Sequence, residues 1–316
     1  MLYILLVFMK QKIIIIDLPK SHGSITWCWY DGYVVHEGHK SNSLNHATLY
    51  SKEHNILPDQ IRLRHDFNNF KKVLETAGFD LIVLPFPDTL NQIDSLHHDA
   101  VFIRDSWFMF KDYRIKGHYS VSVRQKEADV YAPIMAKKFN KKIVELPQGA
   151  YLEFWETTYL QTKDGSFYFG GLSRSNKIGH DFVRDIVKPD YYILLESAWY
   201  HLDTVFSPVI DKNNKIIALL VTKWMFTPSS IKLLESLQIE IIFLDNIDSS
   251  WSGNELWNYS VNALLAPGIL VSCAQFTTVG VEKKLADLGI HHYIVPLTDY
   301  KHAWWSVHCL TNEIYE

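Results

Sequence analysis

Short apolar, β-branched runs alternate along the chain with segments whose apolar positions recur at helical spacing. The apolar runs, each typical of a strand, are residues 13–17, 80–85, 142–147, 215–222, 239–245 and 268–273. The segments of helical period, each typical of an amphipathic helix, are residues 67–77, 127–139, 175–187, 228–237 and 279–288. This alternation predicts an α/β protein.

A helical segment followed by a strand that ends at Leu-Pro or its equivalent recurs along the chain. The copies are KKVLETAGFDLIVLP, APIMAKKFNKKIVELP, IKLLESLQIEIIFLD and VEKKLADLGIHHYIVPL. Recurrence at a period of about fifty residues indicates an internally repeated architecture. The glycine pair Gly170 and Gly171 lies in neither a Gly-x-Gly-x-x-Gly fingerprint nor a phosphate loop, so nucleotide binding is not expected.

Composition favours one large globular domain. The 316 residues are 47% hydrophobic and 21% charged, and no Gly/Ser-rich, Pro-rich or charged linker divides them. We expect a single domain over residues 13–316, preceded by an N-terminal extension at residues 1–12. The opening MLYILLVFM has no basic region before it, no cleavage site after it and too little length to span a bilayer, so a targeting role is not expected. Met1 and Met9 are both candidate start sites.

Charge and cysteine content narrow the choice of partners. A formal net charge of -4 provides no basic field for nucleic acid or an anionic membrane, which favours a small-molecule partner. Cys28, Cys273 and Cys309 are too few and too scattered for a disulfide framework or a Cys-x-x-Cys metal site. They fit a reducing cytoplasm, and the sequence leaves a homodimer open.

A set of polar residues lies at related spacings, namely Asp105, Glu153, His201, Asp203 and Cys309. Asp105 and Glu153 are 48 residues apart, Glu153 and His201 are also 48 apart, and His201 and Cys309 are 108 apart, or two steps of 54. If each repeat contributes one strand end to a common axis, these side chains converge there. Each residue also has an ordinary alternative, because free Cys is commonly buried and Asp commonly caps a turn.

Short segments in a fixed order along the chain share the pattern of one known superfamily. The segments are HDAVFIRDSW, LPQGAYLE, GGLSRSN, YHLDTVFSP and VHCLT. They resemble the amidinotransferase superfamily of guanidine-modifying enzymes, which includes arginine deiminase, glycine amidinotransferase and dimethylarginine dimethylaminohydrolase. The resemblance covers the chain from about residue 65 to the C-terminus. It implies the pentein fold, an α/β propeller of five ββαβ-type modules around a pseudo-fivefold axis with the active site in a central channel.

The same resemblance assigns roles to the spaced polar residues. It makes Cys309 the nucleophile, His201 the general acid/base, and Asp105, Glu153 and Asp203 the carboxylates that hold a guanidinium, with Glu153 counted among the catalytic residues. Independently of it, a planar, cationic guanidinium is best held by bidentate carboxylates. Attack on it requires a thiolate, and a histidine suits both proton transfers. No metal and no organic cofactor is required.

Further residues match the family less specifically. Asp99 resembles a substrate-contacting Asp of the dimethylarginine hydrolases. Arg124 in SVRQKE matches a family Arg and fits either a substrate carboxylate or a surface salt bridge. Arg104 resembles the Arg-Asp pair of arginine deiminases, which weakens an assignment to the dimethylarginine hydrolases in particular.

The chain departs from the family at two places. Glu153-Phe154-Trp155-Glu156 replaces the usual Glu-Gly-Gly-Asp, and residues 303–306, AWWS, replace the glycine-rich loop before the Cys. Aromatic residues add bulk where glycine allows close approach, so the lip of the pocket is expected to differ. An altered substrate, a cation-π contact to a guanidinium and loss of the usual reaction are all compatible with this.

The residues leave three functions open. The first is hydrolysis of the guanidine group of arginine or a related small molecule through an S-amidino intermediate on Cys309. The second is transfer of the amidino group to an amine acceptor. The third is a non-catalytic pentein that binds a partner, which the retained polar set argues against and the aromatic replacements favour.

Overall fold

The computed structural model describes residues 11–19, 34–36, 39–41, 54, 59–91, 97–120, 122–198, 201–249, 258–300 and 306–316. Its strands are β1 (Lys12–Ile16), β2 (Val34–His36), β3 (His39–Ser41), β4 (Asp80–Leu84), β5 (Trp107–Phe110), β6 (Tyr113–Lys116), β7 (Lys142–Val144), β8 (Thr157–Thr162), β9 (Gly165–Gly171), β10 (Tyr191–Leu195), β11 (Phe206–Ile210), β12 (Ile216–Thr222), β13 (Glu240–Leu244), β14 (Leu264–Ala266), β15 (Ile269–Ser272), β16 (His291–Ile294) and β17 (Asn312–Tyr315). Its α-helices are α1 (Gln60–Thr76), α2 (Ser122–Phe139), α3 (Lys177–Val187), α4 (Pro228–Ser236) and α5 (Val281–Asp287).

One three-stranded arrangement recurs through the described part of the chain. Two antiparallel strands are followed by a helix and by a third strand that runs parallel to the second. The units are β5-β6-α2-β7, β8-β9-α3-β10, β11-β12-α4-β13, β14-β15-α5-β16 and β17-β1-α1-β4. The last unit joins the two chain ends, since β17 is antiparallel to β1. The internal repeat and the α/β class expected from the sequence are therefore confirmed.

The predicted helices and strands are present, with shifted ends. Helix α1 begins at Gln60 rather than at residue 67, because the side chain of Asp59 accepts a hydrogen bond from the backbone N of Arg62 and caps the first turn. The strand predicted at residues 142–147 ends at Val144. In the chain-end unit, β1 begins at Lys12, and residues 1–10 lie outside the described part of the chain.

The first strands of the units were not predicted from the sequence. All residues of β5 and of β11 are buried, so these short strands carry no alternation of polar and apolar positions. The apolar core extends across the units, and buried Ile13 to Ile16 of β1 pack in one cluster with Trp107 and Cys309. Within the described ranges, no helix is long and apolar enough to cross a membrane.

Candidate active site

The spaced polar residues lie in turns that immediately precede the first strands of the units. Asp105 lies in the 3-10 turn Ile103–Ser106 before β5, and Glu153 caps the turn Phe154–Glu156 before β8. His201 caps the turn Leu202–Thr204 before β11, and this turn contains Asp203. Cys309 lies in the turn that leads into β17. Because each unit enters its first strand in the same way, regular spacing in the sequence becomes proximity in space.

Glu153 and His201 form a buried carboxylate-imidazole pair. Nε2 of His201 donates to Oε2 of Glu153 at 3.0 Å, and both side chains are fully buried. The other carboxylate oxygen accepts hydrogen bonds from the backbone N, at 2.8 Å, and the hydroxyl of Ser120. Arg174 Nε lies 3.4 Å from Oε2. Burial alone would raise the pKa of Glu153, but the charge of Arg174 and the bonds from His201 and Ser120 lower it below its usual range.

Asp105 is held by an arginine of the protein itself. Nη1 of Arg124 donates to Oδ2 of Asp105 at 2.9 Å, and the backbone N of Trp155 donates to Oδ1 at 3.1 Å. Nη2 of Arg124 also donates to Glu127 at 2.9 Å. Arg124 is only 2% exposed, so the surface salt bridge considered from the sequence is wrong and the pair is buried. Burial raises the pKa of Asp105 well above its usual range, although Arg124 opposes this.

Asp203 connects the candidate nucleophile to a second histidine. Sγ of Cys309 donates to Oδ2 of Asp203 at 3.6 Å, and Nδ1 of His308 donates to the same oxygen at 2.8 Å. His308 precedes Cys309 in the sequence and, from its position alone, was expected to point away from the site. The structure corrects this, because the carboxylate nearest the thiol is the one that His308 holds.

Asn262 is a second hydrogen-bond partner of the Cys309 thiol, in addition to Asp203. Its Nδ2 donates to Sγ of Cys309 at 3.1 Å, and its Oδ1 accepts from the backbone N of His308 at 3.1 Å and of Cys309 at 3.4 Å. Asn262 precedes β14, the first strand of a further unit. The sequence step of 108 from His201 to Cys309 therefore divides at Asn262 into 61 and 47 residues rather than two steps of 54.

We expect Asn262→Ala to slow turnover by about 10-fold to 100-fold, since a hydrogen bond to a charged group contributes about 1.5–3 kcal/mol. Burial raises the pKa of Cys309, and the hydrogen bond from Asn262 opposes this rise. Removing this bond should therefore move the pH dependence of iodoacetamide alkylation to higher pH.

Asn258→Ala is the matched control for this prediction. Asn258 is a buried asparagine of the same segment whose Nδ2 donates to Asp248 at 2.8 Å. It should lose stability without a shift in the alkylation profile. An unshifted profile in Asn262→Ala would show that Asn262 supports the backbone alone.

Phe154 and Trp155, which were expected to change the lip of the pocket, are both buried. Phe154 stacks on Phe108 with ring centroids 5.7 Å apart. Trp155 packs edge-on against His201, with centroids 4.6 Å apart at 87°, and the guanidinium of Arg124 lies 5.3 Å from its ring centroid. The cation-π contact considered for a substrate is thus made by an arginine of the chain. Residues 303–305 of the other replaced loop lie outside the described residues.

The side chain of Glu156 accepts hydrogen bonds from backbone groups of two turns near the site. Its two carboxylate oxygens accept from the backbone N of Arg174 and of Leu202, each at 2.8 Å. These bonds join the turn after β9 to the turn that carries Asp203. Gly171 makes the approach possible, because a Cβ at this position would overlap Oε2 of Glu156 and lie 2.8 Å from Cβ of Leu202.

We expect Gly171→Ala to lower the free energy of unfolding by about 1–3 kcal/mol, the usual cost of overpacking. Urea unfolding followed by circular dichroism measures this. The double variant Gly171→Ala/Glu156→Asp should recover part of the loss, since Asp is one methylene shorter. No recovery would mean that the clash with Leu202 dominates.

Electrostatics keep the candidate nucleophile and base uncharged in the resting site. Burial raises the pKa of Cys309 well above its usual range, and the charge of Asp203 raises it further. Burial lowers the pKa of His201 to about 4, although the bond to Glu153 opposes this. At neutral pH the pair is therefore a thiol and a neutral imidazole. Positive charge brought by a ligand would favour the thiolate.

Asp105, Glu153 and His201 are close enough to share one ligand. Their ligating atoms all lie within 4.8 Å of one another, which is a distance compatible with a metal ion. Asp105 is paired with Arg124 and Glu153 lies beside Arg174, so these carboxylates already face cations. A cationic group of small charge suits the site better than a divalent metal.

The sequence analysis identified the spaced polar residues of the site but missed the residues that hydrogen-bond to them or lie beside them. Asp99 is fully buried in the 3-10 turn before that of Asp105, and its substrate contact stays a prediction. Arg174, within the quoted GGLSRSN segment, and Asn262 were not singled out. The repeat offered a signal for Asn262, because every other first strand follows a polar residue of the set.

Comparisons with solved structures show that this chain shares its fold with an arginine dihydrolase and with DDAH. No protein-family model matches the sequence, and no curated protein matches it. A similar solved structure is the N-terminal domain of ArgZ, an arginine dihydrolase from the ornithine-ammonia cycle in cyanobacteria. It is 17% identical with a TM-score of 0.72, over 97% of this chain and 99% of that domain.

Two further structures show the extent of the likeness. This chain spans 41% of the full-length ArgZ chain, at 18% identity and a TM-score of 0.72. The DDAH of Pseudomonas aeruginosa, solved with citrulline, is 17% identical with a TM-score of 0.66, over 97% of this chain and all of that chain. At these identities the likeness establishes the shared fold.

Proposed function

We propose that this protein is a hydrolase of the guanidine group of arginine or a related small molecule, with Cys309 as nucleophile. The observation that carries the proposal is a buried set of polar side chains in which Cys309 lies beside Asp203, and the Glu153–His201 pair lies beside Asp105. The two groups are linked electrostatically, because the charge of Asp203 acts on His201. A fold shared with an arginine dihydrolase and DDAH supports it. The proposal includes five units around a pseudo-fivefold axis in one catalytic domain, and a cytoplasmic setting that keeps the thiol reduced.

The proposed reaction begins when a guanidinium approaches the carboxylates. Its charge favours loss of the Cys309 proton, which the imidazole of His201 accepts. The thiolate attacks the guanidine carbon and forms a C–S bond and a tetrahedral adduct. His201 then returns the proton to the leaving nitrogen as the C–N bond breaks, leaving an S-amidino group on Cys309.

Hydrolysis completes the cycle. Water attacks the amidino carbon, His201 takes its proton, and the C–S bond breaks to regenerate the thiolate and release a urea-type product. Glu153 orients His201 through the 3.0 Å hydrogen bond and stabilises the imidazolium in both steps. An amine in place of water would give amidino transfer with the same residues.

Arg124 determines whether Asp105 can bind the substrate guanidinium. Its guanidinium already occupies Oδ2 of Asp105, in the manner proposed for a substrate guanidinium. A substrate therefore either displaces Arg124 toward Glu127, which Arg124 also binds, or uses Asp203 beside the thiol. Asp203 lies nearer the reacting sulfur, so we assign it the main contact to the guanidinium.

Intact-protein mass spectrometry tests the proposal. The wild-type protein is incubated with arginine, agmatine, methylarginines and an amidine inactivator, with Cys309→Ser in parallel. We expect an adduct on the wild type alone, and product analysis with and without added amines separates hydrolysis from transfer.

A closed centre also favours the non-catalytic alternative, since Cys309 and His201 are fully buried and Trp155 covers the imidazole. Calorimetry with the same compounds distinguishes the two functions. Binding without adduct or turnover would support a binding protein. If the protein shows no binding of these compounds and no turnover, the guanidine assignment is overturned.

A further inference from the structure

Arg114 is a buried arginine that has no part in the proposed reaction. It lies on β6, opposite Met109 of β5 and Ile143 of β7, and is 0% exposed. Its guanidinium carbon is 5.0 Å from the ring centroid of Trp107. Trp107 in turn meets the ring of Tyr131 on α2 edge-on at 5.3 Å. The charged group is thus enclosed between the sheet and the helix of one unit.

The donors at this position lack acceptors. Nε, Nη1 and Nη2 of Arg114 and Nε1 of Trp107 are buried and have no hydrogen-bond partner among the described residues. Glu145 is the carboxylate whose charge acts on Arg114. Glu145, however, is 63% exposed at its side chain and lies 2.8 Å from Lys116 Nζ. Guanidinium and indole nitrogens only donate, so Arg114 and Trp107 cannot satisfy each other's hydrogen-bonding groups.

The charge of Arg114 persists despite its burial. Burial lowers the pKa of Arg114 to about 9, which still leaves the guanidinium charged at neutral pH. An unpaired buried charge is costly, and contact with an aromatic face offsets only part of this cost. Water would accept the hydrogen bonds but would leave the charge uncompensated. An anion satisfies the donors and the charge together.

We propose that Arg114 and the indole N–H of Trp107 form a buried binding site for a small monovalent anion of the halide type. One guanidinium charge matches one negative charge, and the enclosure by Trp107 and Tyr131 selects a small ion. The site stabilises β5, whose first residue follows the turn that holds Asp105. It is independent of the proposed reaction.

Halide-dependent stability tests the site. Thermal unfolding is followed in sodium chloride or bromide against sodium gluconate at equal ionic strength, for wild type, Arg114→Met and Glu145→Gln. For the wild type we expect a saturable rise in Tm, about 3 °C at a tenfold excess of halide over its dissociation constant. Arg114→Met should show no such rise and should unfold at a higher temperature than the wild type in gluconate, because the unpaired charge is gone.

A second measurement does not depend on the variant folding. Crystals of the wild type soaked in bromide should give an anomalous peak within hydrogen-bonding distance of the Arg114 guanidinium. An equal halide response in wild type and Arg114→Met, or no bromide at Arg114, would overturn the proposal. So would a loss of stability in Glu145→Gln together with no halide response, since Arg114 would then pair with Glu145 in solution.

Discussion

Replacing Cys309 by Ser is expected to lower kcat by at least about 10⁴-fold, as loss of a covalent nucleophile does in comparable enzymes. The hydroxyl is nearly isosteric with the thiol, but it does not ionise in a buried site beside the Asp203 carboxylate, and no S-amidino intermediate can form. Substrate binding should change far less, because Asp203 and Asp105 remain in place. Steady-state kinetics together with calorimetric binding measure the two effects separately.

Cys273→Ser is the matched control for this prediction. Cys273 is a buried thiol like Cys309, 2% against 0% exposed, and its Sγ donates to the backbone O of Asn258 at 3.1 Å. A serine hydroxyl can make the same bond, so activity should stay near that of the wild type. Comparable losses in both variants would indicate a general packing defect and would remove Cys309 from the mechanism.

The second prediction with a large effect concerns Glu156, whose protonation makes the free energy of unfolding depend on pH. Burial raises the pKa of Glu156 from 4.5 to about 8, with Glu153 and Asp203 adding like charge. Between these pH values the folded protein holds a proton that the unfolded chain has released, so the free energy of unfolding falls as pH rises. The slope is about 1.4 kcal/mol per pH unit, and the total loss between pH 4.5 and 8 is about 5 kcal/mol.

Urea unfolding of wild type and Glu156→Gln at several pH values between 5 and 9 measures this contribution, because Gln does not titrate. The difference between the two free energies should shift steadily in favour of the variant as pH rises, and should level off above about pH 8. Glu75→Gln, a change at an exposed glutamate of α1, should show no such trend. A flat difference for Glu156→Gln would mean that the backbone N–H groups of Arg174 and Leu202 keep the carboxylate ionised.

Local patterns in the sequence account for much of the fold. The alternation of apolar runs and helical segments depends on neighbouring residues, and it predicted helices α1 to α5 and six strands, with ends shifted by up to seven residues, as at the start of α1. The first strands of the units escaped detection, and for β5 and β11 the reason is that every residue is buried, which leaves no alternation of polar and apolar positions. One of them, β17, pairs with β1 and β5, which lie far from it in the sequence.

The sequence by itself determined, through spacing and resemblance, that Asp105, Glu153, His201, Asp203 and Cys309 were candidates for one site. Only the tertiary structure decided which partners these residues have. Arg124 faces Asp105 from a helix, and Asn262 reaches the Cys309 thiol from another unit. Such contacts join residues distant in sequence, and their geometry depends on how all the units pack together, which no local pattern encodes.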